Sequence, residues 1–439
     1  MISTINDKLG DLVKAGGGKI HTGPFGSQLH AEDYVKVGVP CIMPANMKDN
    51  RVDLSNIAFI TEEDANRLSK YIVKEGDIVY SRRGNVTLKA LIREKEAGYF
   101  CGTGCLLLRP GSKFDSRFLT QYLSTPTLQN WIVKQAVGAT MPNLNTGILS
   151  SVPFNGPVKE IQEKLANVIY SIEDKIELNN CINSELEAIA KTLYDFWFVQ
   201  FDFPDTDGRP YKSSGGKMVY NESLDREIPV EWNVNFLSDW IKSDKTGDWG
   251  KEAQEGNYTL RVDCIRGADI NGVNGSGKVA APNRFILKKN EHKLLSPFDF
   301  VIEISGGSPT QSTGRLSGIT KEVLERFEHP VICSNFCKSI SLKNISYFYN
   351  FTYMWQWIYD HEILFGWEGK TSGIKNLLFD SFVTKYSVAM PPENLAQKFY
   401  DFVSPLQSKK QNLLKENSEL EALRDWLLPM LMNGQVTVK

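Results

Sequence analysis

The sequence predicts a mixed α/β (α+β) protein built twice over. Two globular domains are separated by two long antiparallel coiled-coil helices, with a pseudo-twofold internal repeat. Three observations predict it. The string "NSELEA" begins at Asn183 and again at Asn417, 234 residues later. At that offset residues 157–198 align without gaps onto 391–432, each stretch opening on a proline, Pro157 and Pro391. Cys-x3-Cys followed by alternating apolar residues also recurs, Cys101 and Cys105 matching Cys333 and Cys337 at an offset of 232. Internal repetition decides architecture before any local signal does.

The first globular domain is expected over 1–156. "EGDIVYSRRG" (75–84) reads as a strand ending in a glycine turn, and "YFCGTGCLLLRPG" (99–111) as a second strand. The first long helix is expected over 157–200. Its 4-3 positions are Ile161, Leu165, Val168, Ile172, Lys175, Asn179, Ile182, Leu186, Ile189, Leu193 and Phe196, nine of eleven apolar. A period of 3.5 held this long is a coiled-coil signal. Proline suits a helix's first turn.

A linker follows over 201–227, where "FDFPDTDGRPYKSSGG" is rich in turn residues. The second globular domain is expected over 228–390. "PFDFVIEISGG" (297–307) repeats the strand and glycine turn of 75–84. The second long helix is expected over 391–439. Its matching positions are Leu395, Phe399, Phe402, Leu406, Lys409, Leu413, Glu416, Leu420, Leu423, Leu427 and Met430, again nine of eleven apolar. Helix pairing is therefore assigned to Ile172, Lys175, Leu186 and Ile189 against Leu406, Lys409, Leu420 and Leu423. Lys175 and Lys409 fall at the same step, and polar seam positions set register at a cost in stability. Pro405 is expected to kink or break this helix. A twofold axis would run the helices antiparallel and put the globular domains at opposite ends.

Totals bound the function classes. At 439 residues the chain is too long for one core. No run of about 18 apolar residues predicts a membrane span, and the first residues lack a signal peptide's apolar core. Seven cysteines, an odd number, fit a reducing, cytoplasmic setting without disulfides. The net charge of −2 hides an uneven spread. Residues 1–156 hold 18 Lys and Arg against 14 Asp and Glu, a balance of +4, whereas 157–198 hold 4 against 8, a balance of −4.

Enzymatic motifs are weak. "GVNGSGKV" (272–279) has the glycines and lysine of a phosphate-binding loop, but Val279 replaces the metal-binding Ser or Thr and no clear strand precedes it. The cysteine pairs lack the companions a zinc site needs, and the five histidines form no metal-spaced set. No catalytic residue and no metal ligand is assigned.

What remains is recognition. Asn, Gln, Arg and Ser/Thr are the side chains that read base edges, and Arg also suits phosphate. The candidate DNA-contacting residues are Ser27, Gln28 and His30 in one loop, Arg82, Arg83 and Lys89 around a glycine turn, and Thr140, Asn143 and Asn145 in a third loop. In the second half they are Thr310, Gln311, Ser312 and Arg315, then Lys370, Thr371, Ser372 and Lys375.

On these residues the chain resembles the specificity subunits of type I restriction–modification enzymes. "EAIAKTLYDFWFVQFDFPDTDGRPYKSSGGKMVY" (187–220) looks like their central conserved region and "LEALRDWLLPMLMNGQVTVK" (420–439) like their C-terminal one. "GPFGSQLHAEDYVKVGVPCIMPANM" (23–47) with "GDIVYSRRG" (76–84) looks like a frequent first target-recognition domain. The resemblance implies that each globular domain reads one half of a bipartite, asymmetric site in double-stranded DNA. It implies helices that fix the spacer and recruit two modification subunits, which use S-adenosylmethionine to methylate adenine N6. It also implies two restriction subunits working with ATP and Mg. No cofactor is expected in this chain. The rival readings are a coiled-coil scaffold without DNA contact and a nucleotide-binding protein using 272–279.

Overall fold

A computed structural model describes residues 4–136, 141–306, 310–371, 374–432 and 435–436. The chain forms two compact units, Met1–Ile176 with Glu419–Lys439, and Glu177–Ser418.

In the first unit a four-stranded sheet runs in the order Lys19–Thr22, Cys105–Arg109, Ile78–Ser81, Lys89–Leu91. A second sheet pairs Phe100–Cys101 in parallel with Val39–Ile42, which continues antiparallel to Ala58–Ile60. Thr4–Lys8 pairs with Pro153–Pro157, just before the first long helix. Apolar alternation along the strands feeds two cores, one under each face. Ile78, Tyr80, Leu106 and Leu108 enter one; Val79, Leu107, Cys41 and Cys101 enter the other.

The second unit repeats these pairings, without a counterpart of the short strand Tyr34–Val35 in its second sheet. Its four-stranded sheet runs Ile241–Thr246, Cys337–Leu342, Asp299–Glu303, Leu316–Gly318. Val331–Cys333 lies parallel to Tyr258–Ile265, which is antiparallel to Asn283–Leu287. Asn233–Phe236 pairs with Ser387–Met390, just before the second long helix. The register agrees to the residue: Cys105 faces Ser81, and Cys337 faces Glu303. Six of the seven cysteines thus form two equivalent buried sets, Cys41, Cys101, Cys105 and Cys264, Cys333, Cys337. Burial pushes the Cys41, Cys264 and Cys337 thiols up to about 12, so they act as small apolar residues. Segment 201–227 is ordered: Phe201 is buried beside Trp232, and Met218–Asn221 pairs with Arg226–Pro229.

The long helices run Lys159–Tyr194 and Glu393–Met432, about 54 and 60 Å at ~1.5 Å per residue. Pro157 closes the preceding strand, and Pro391 likewise stands two residues before its helix. The second helix runs unbroken through Pro405, which is exposed. Water can satisfy the carbonyl that its missing N–H abandons on that side.

Within the second unit the helices pair antiparallel. Asn179 meets Asn417, Glu187 meets Lys410 and Gln407, and Tyr194 meets Phe399. The buried seam differs from the predicted one by one residue in alternate steps. Ile172 is buried, and Leu186, Leu406 and Leu420 are half-buried as expected. Lys175 and Lys409 are exposed instead, as are Ile189 (47%) and Leu423 (42%). At Ile182, Ile189 and Lys409 the buried place goes to the next residue along, Asn183, Ala190 and Lys410. Counting apolar residues chose the wrong column, because the buried column is the more polar of the two.

The polar seam is hydrogen-bonded. Asn179 Nδ2 donates to Asn417 Oδ1 (2.9 Å) and Glu416 Oε2 (2.8 Å), and Asn417 Nδ2 donates to Asn180 Oδ1 (2.8 Å). Lys410 Nζ lies 2.7 Å from Glu187 Oε2. Burial alone would push the Glu187 carboxyl up, but Lys410 and its hydrogen-bond donors outweigh that and hold it below its ordinary value. Asn183 is the exception: both its amide atoms are buried without a hydrogen-bond partner among the described residues.

Candidate nucleic-acid interface

In the first unit three sequence-distant loops converge at one end of the four-stranded sheet. The strand Ile78–Ser81 delivers Arg82 and Arg83 into a turn closed by Gly84, whose φ of +74° an L side chain rarely adopts. Backbone bonds fix this turn: Arg82 N donates to Gly104 O (2.8 Å), and Leu144 N donates to Arg82 O (2.8 Å). Arg83 and Asn143 form an isolated antiparallel bridge. The loop 23–30 arrives from the edge strand and places the Phe25 ring 5.9 Å from the Arg82 guanidinium.

That loop is stiff. Gln28 Oε1 accepts from Phe25 N (3.3 Å) and Tyr71 Oη (2.9 Å), while Arg67 Nη2 donates to Gln28 O (3.2 Å). Gln28 is thus partly committed to shaping its own loop. Ser27 and His30 are exposed, the His30 ring 3.7 Å from Asp33. Asn143 keeps a buried amide oxygen, and Arg82 a buried Nε, without hydrogen-bond partners among the described residues. Neither Arg82 nor Arg83 has a carboxylate partner among the described residues. Arg83 is exposed and Arg82 half-buried, so two cations are left able to bind something anionic and flat.

Three candidates of this unit stand differently. Asn145 is exposed but its side chain caps a short helix, accepting from Ile148 N (2.8 Å). Thr140 lies outside the described residues. Lys89 is not on the surface: it is 3% exposed, its Nζ 5.6 Å from the Tyr80 ring. Burial pushes its amine down to about 7. The register explains the placement. Lys89 faces Tyr80 as Leu316 faces Ile302 in the second unit, so a lysine fills a slot that the repeat gives to leucine.

The second unit knits its equivalent loops inward. Arg315 forks onto Glu303, with Nε–Oε2 at 2.9 Å and Nη2–Oε1 at 2.6 Å. Those hydrogen bonds hold the guanidinium further in its charged form. Thr313 donates from N and Oγ1 to Glu368 Oε1 at 2.8 and 3.0 Å. Lys375 Nζ lies 3.1 Å from Glu368 and 4.6 Å from the Phe365 ring. Ser312 is buried (6%), its carbonyl accepting from Tyr359 Oη. Arg315, Ser312 and Lys375 therefore stabilise the loop rather than project from it. Thr310 and Gln311 are exposed. Lys370 and Thr371 belong to the strand Glu368–Thr371, their side chains outside the description, as is Ser372 altogether.

The glycine run 272–279 follows the single helical turn Ile270–Val273 rather than a strand, so it lacks the strand–loop–helix frame of a phosphate-binding loop. Among the described residues no helix is long and apolar enough to cross a membrane.

The family model for the type I restriction modification DNA specificity domain matches residues 6–188, which hold this loop cluster and most of the first long helix. A type I restriction enzyme specificity subunit (MjaIX) of Methanocaldococcus jannaschii is 26% identical over 382 residues, 87% of this chain and 82% of that one. Over most of its length the chain is similar to specificity subunits of type I restriction–modification systems. The HindI specificity subunit of Haemophilus influenzae is 31% identical over 162 residues, 36% of this chain and 34% of its own. The crystal structure of the S subunit from M. genitalium shares the fold, with a TM-score of 0.61 at 16% identity, covering 98% of this chain and 96% of that chain.

The sequence put Arg82 and Arg83 forward in one loop and Asn143 in another; the structure sets these loops side by side and adds Phe25, which the sequence list omitted. The signal was there: an aromatic between Gly23-Pro24 and Gly26 has little chance of a core position.

Proposed function

We propose that this chain is a specificity subunit, the DNA-sequence reader of a type I restriction–modification complex, each unit reading one half of a bipartite, asymmetric duplex site. What carries the reading is the pairing of Arg82 and Arg83, free of carboxylates among the described residues, with the Asn143 amide inside a fold that occurs twice. Arginine is suited to guanine O6 and N7 and to phosphate. The long helices set the spacer between half-sites and recruit two modification subunits, which carry S-adenosylmethionine and methylate adenine N6. Two restriction subunits add ATP- and Mg-dependent cleavage. Catalysis lies in those partners, and the complex works in the cytoplasm.

The test is to map adenine methylation in cells expressing this chain with its modification partner. A bipartite motif is expected. Arg82→Ala should relax one position of one half-site, at about 1–3 kcal/mol of discrimination, and leave the other half unchanged. An unaltered motif in that variant would overturn the assignment of Arg82. Methylation without any defined motif would overturn the reading.

A further inference from the structure

Phe25 is 55% exposed, yet it is not a loose surface residue. Its backbone N donates to Gln28 Oε1 and its carbonyl accepts from Gln28 N (2.9 Å), so the turn around it is tied at both ends. Tyr71 and Arg67 anchor Gln28 from the body of the unit. The ring faces the Arg82 guanidinium at 5.9 Å. A rigid aromatic with only two side-chain torsions loses little entropy on contact. Held in water beside the Arg82 cation, which has no carboxylate partner among the described residues, it is matched to a surface that is anionic overall and apolar at one point.

Duplex DNA offers one apolar group in the major groove, the C5-methyl of thymine. Stacked base pairs lie about 3.4 Å apart, and a ring and a guanidinium 5.9 Å apart, under two such steps, can fall on neighbouring pairs when both side chains close on the groove. Resting on the DNA-recognition reading above, we propose that Phe25 and Arg82 form a composite reader of adjacent thymine and guanine, Phe25 covering the thymine methyl and Arg82 forking onto guanine O6 and N7. The aromatic also shields the guanidinium from water, which strengthens the guanine contact.

Deoxyuridine lacks only that methyl group. The assembled complex of this chain with its modification subunits is tested on duplexes carrying its mapped site. Thymines of the half-site that Arg82→Ala relaxes are replaced by deoxyuridine one at a time. Wild type should lose about 3–10-fold in methylation rate at one thymine, next to a guanine, as burial of a single methyl group implies. Phe25→Ala should show the same loss on ordinary DNA and no further loss on the deoxyuridine duplex. Phe25→Leu should retain the discrimination. No deoxyuridine effect in wild type, a half-site without thymine next to guanine, or Phe25→Ala as sensitive as wild type would each overturn the proposal. If Phe25→Ala fails to fold, the wild-type series alone decides. Sequence-specific methylation indifferent to deoxyuridine sinks this proposal only, whereas the absence of any specific site sinks the recognition reading with it.

Discussion

The two units share strand order and register but treat charge in opposite ways at the same place. Where the first unit has Ser81 facing Cys105, the second has Glu303 facing Cys337. Glu303 captures Arg315, and Glu368 captures Lys375. In the first unit a serine stands in place of that glutamate, and Arg82 and Arg83 are left for an outside anion. One scaffold thus supports an inward-tied loop, held by Glu303, Glu368 and Tyr359, and a loop whose arginines have no carboxylate partner among the described residues. The second unit's contacts to DNA should therefore come from residues other than Arg315, Ser312 and Lys375, which the sequence alone put forward.

The contrast breaks most sharply at the Glu303–Arg315 pair. Glu303→Gln leaves Arg315, 19% exposed at its side chain, without its ion partner. Removing one partner of a buried pair costs about 3–5 kcal/mol. Denaturant unfolding should show that loss; a cost below about 1 kcal/mol would mean that the second loop is not held by this pair.

Lys89 is the first unit's counterpart, a charge buried where the repeat has Leu316. Lys89→Met should stabilise the first unit by about 2–4 kcal/mol below pH 7. There both folded and unfolded chains hold a charged amine, and folding bears the full burial penalty. The folded amine titrates near 7 and the unfolded one near the ordinary 10.5. Between those values the unfolded chain binds more protons, so wild-type stability rises with pH and the variant's advantage shrinks. Melting curves at pH 6 and pH 9.5 check the sign; an advantage that grows with pH would contradict it.

The smallest effect tests the repeat itself. The antiparallel register that sets Asn179 against Asn417 brings Asn183 level with Leu413. At the 234-residue offset Leu413 occupies the place equivalent to Asn179, so one half of a symmetric asparagine layer has been replaced. Asn183 is what remains, buried and without a hydrogen-bond partner among the described residues. Asn183→Leu should raise stability by about 1–2 kcal/mol, measured by thermal unfolding. A loss of stability would show that the amide has a partner after all.

Much of this architecture was readable from residues alone, because repetition and period are global signals. The repeat, both helices and the Cys-x3-Cys strands followed from spacing. The seam was missed by one residue because the outward column carries Ile189 and Leu423 while the inward one carries Asn183 and Lys410. Apolar counting has no way to know that amides and a lysine are satisfied across a helix pair. Lys89 was misplaced because lysine is almost never assigned to a core. Arg315 was offered as a reader because its partner, Glu303, lies on another strand position that only the fold brings close.

The compact units carry a consequence for synthesis. The first is completed by residues 419–439, and Leu431 and Met432 are buried in the same core as Leu165 and Ile169. Those residues leave the ribosome more than 250 positions after Ile176. At roughly 5–20 residues per second the nascent first unit waits about 10–50 s with that core surface open. During that interval the unit made first is the one that finishes last.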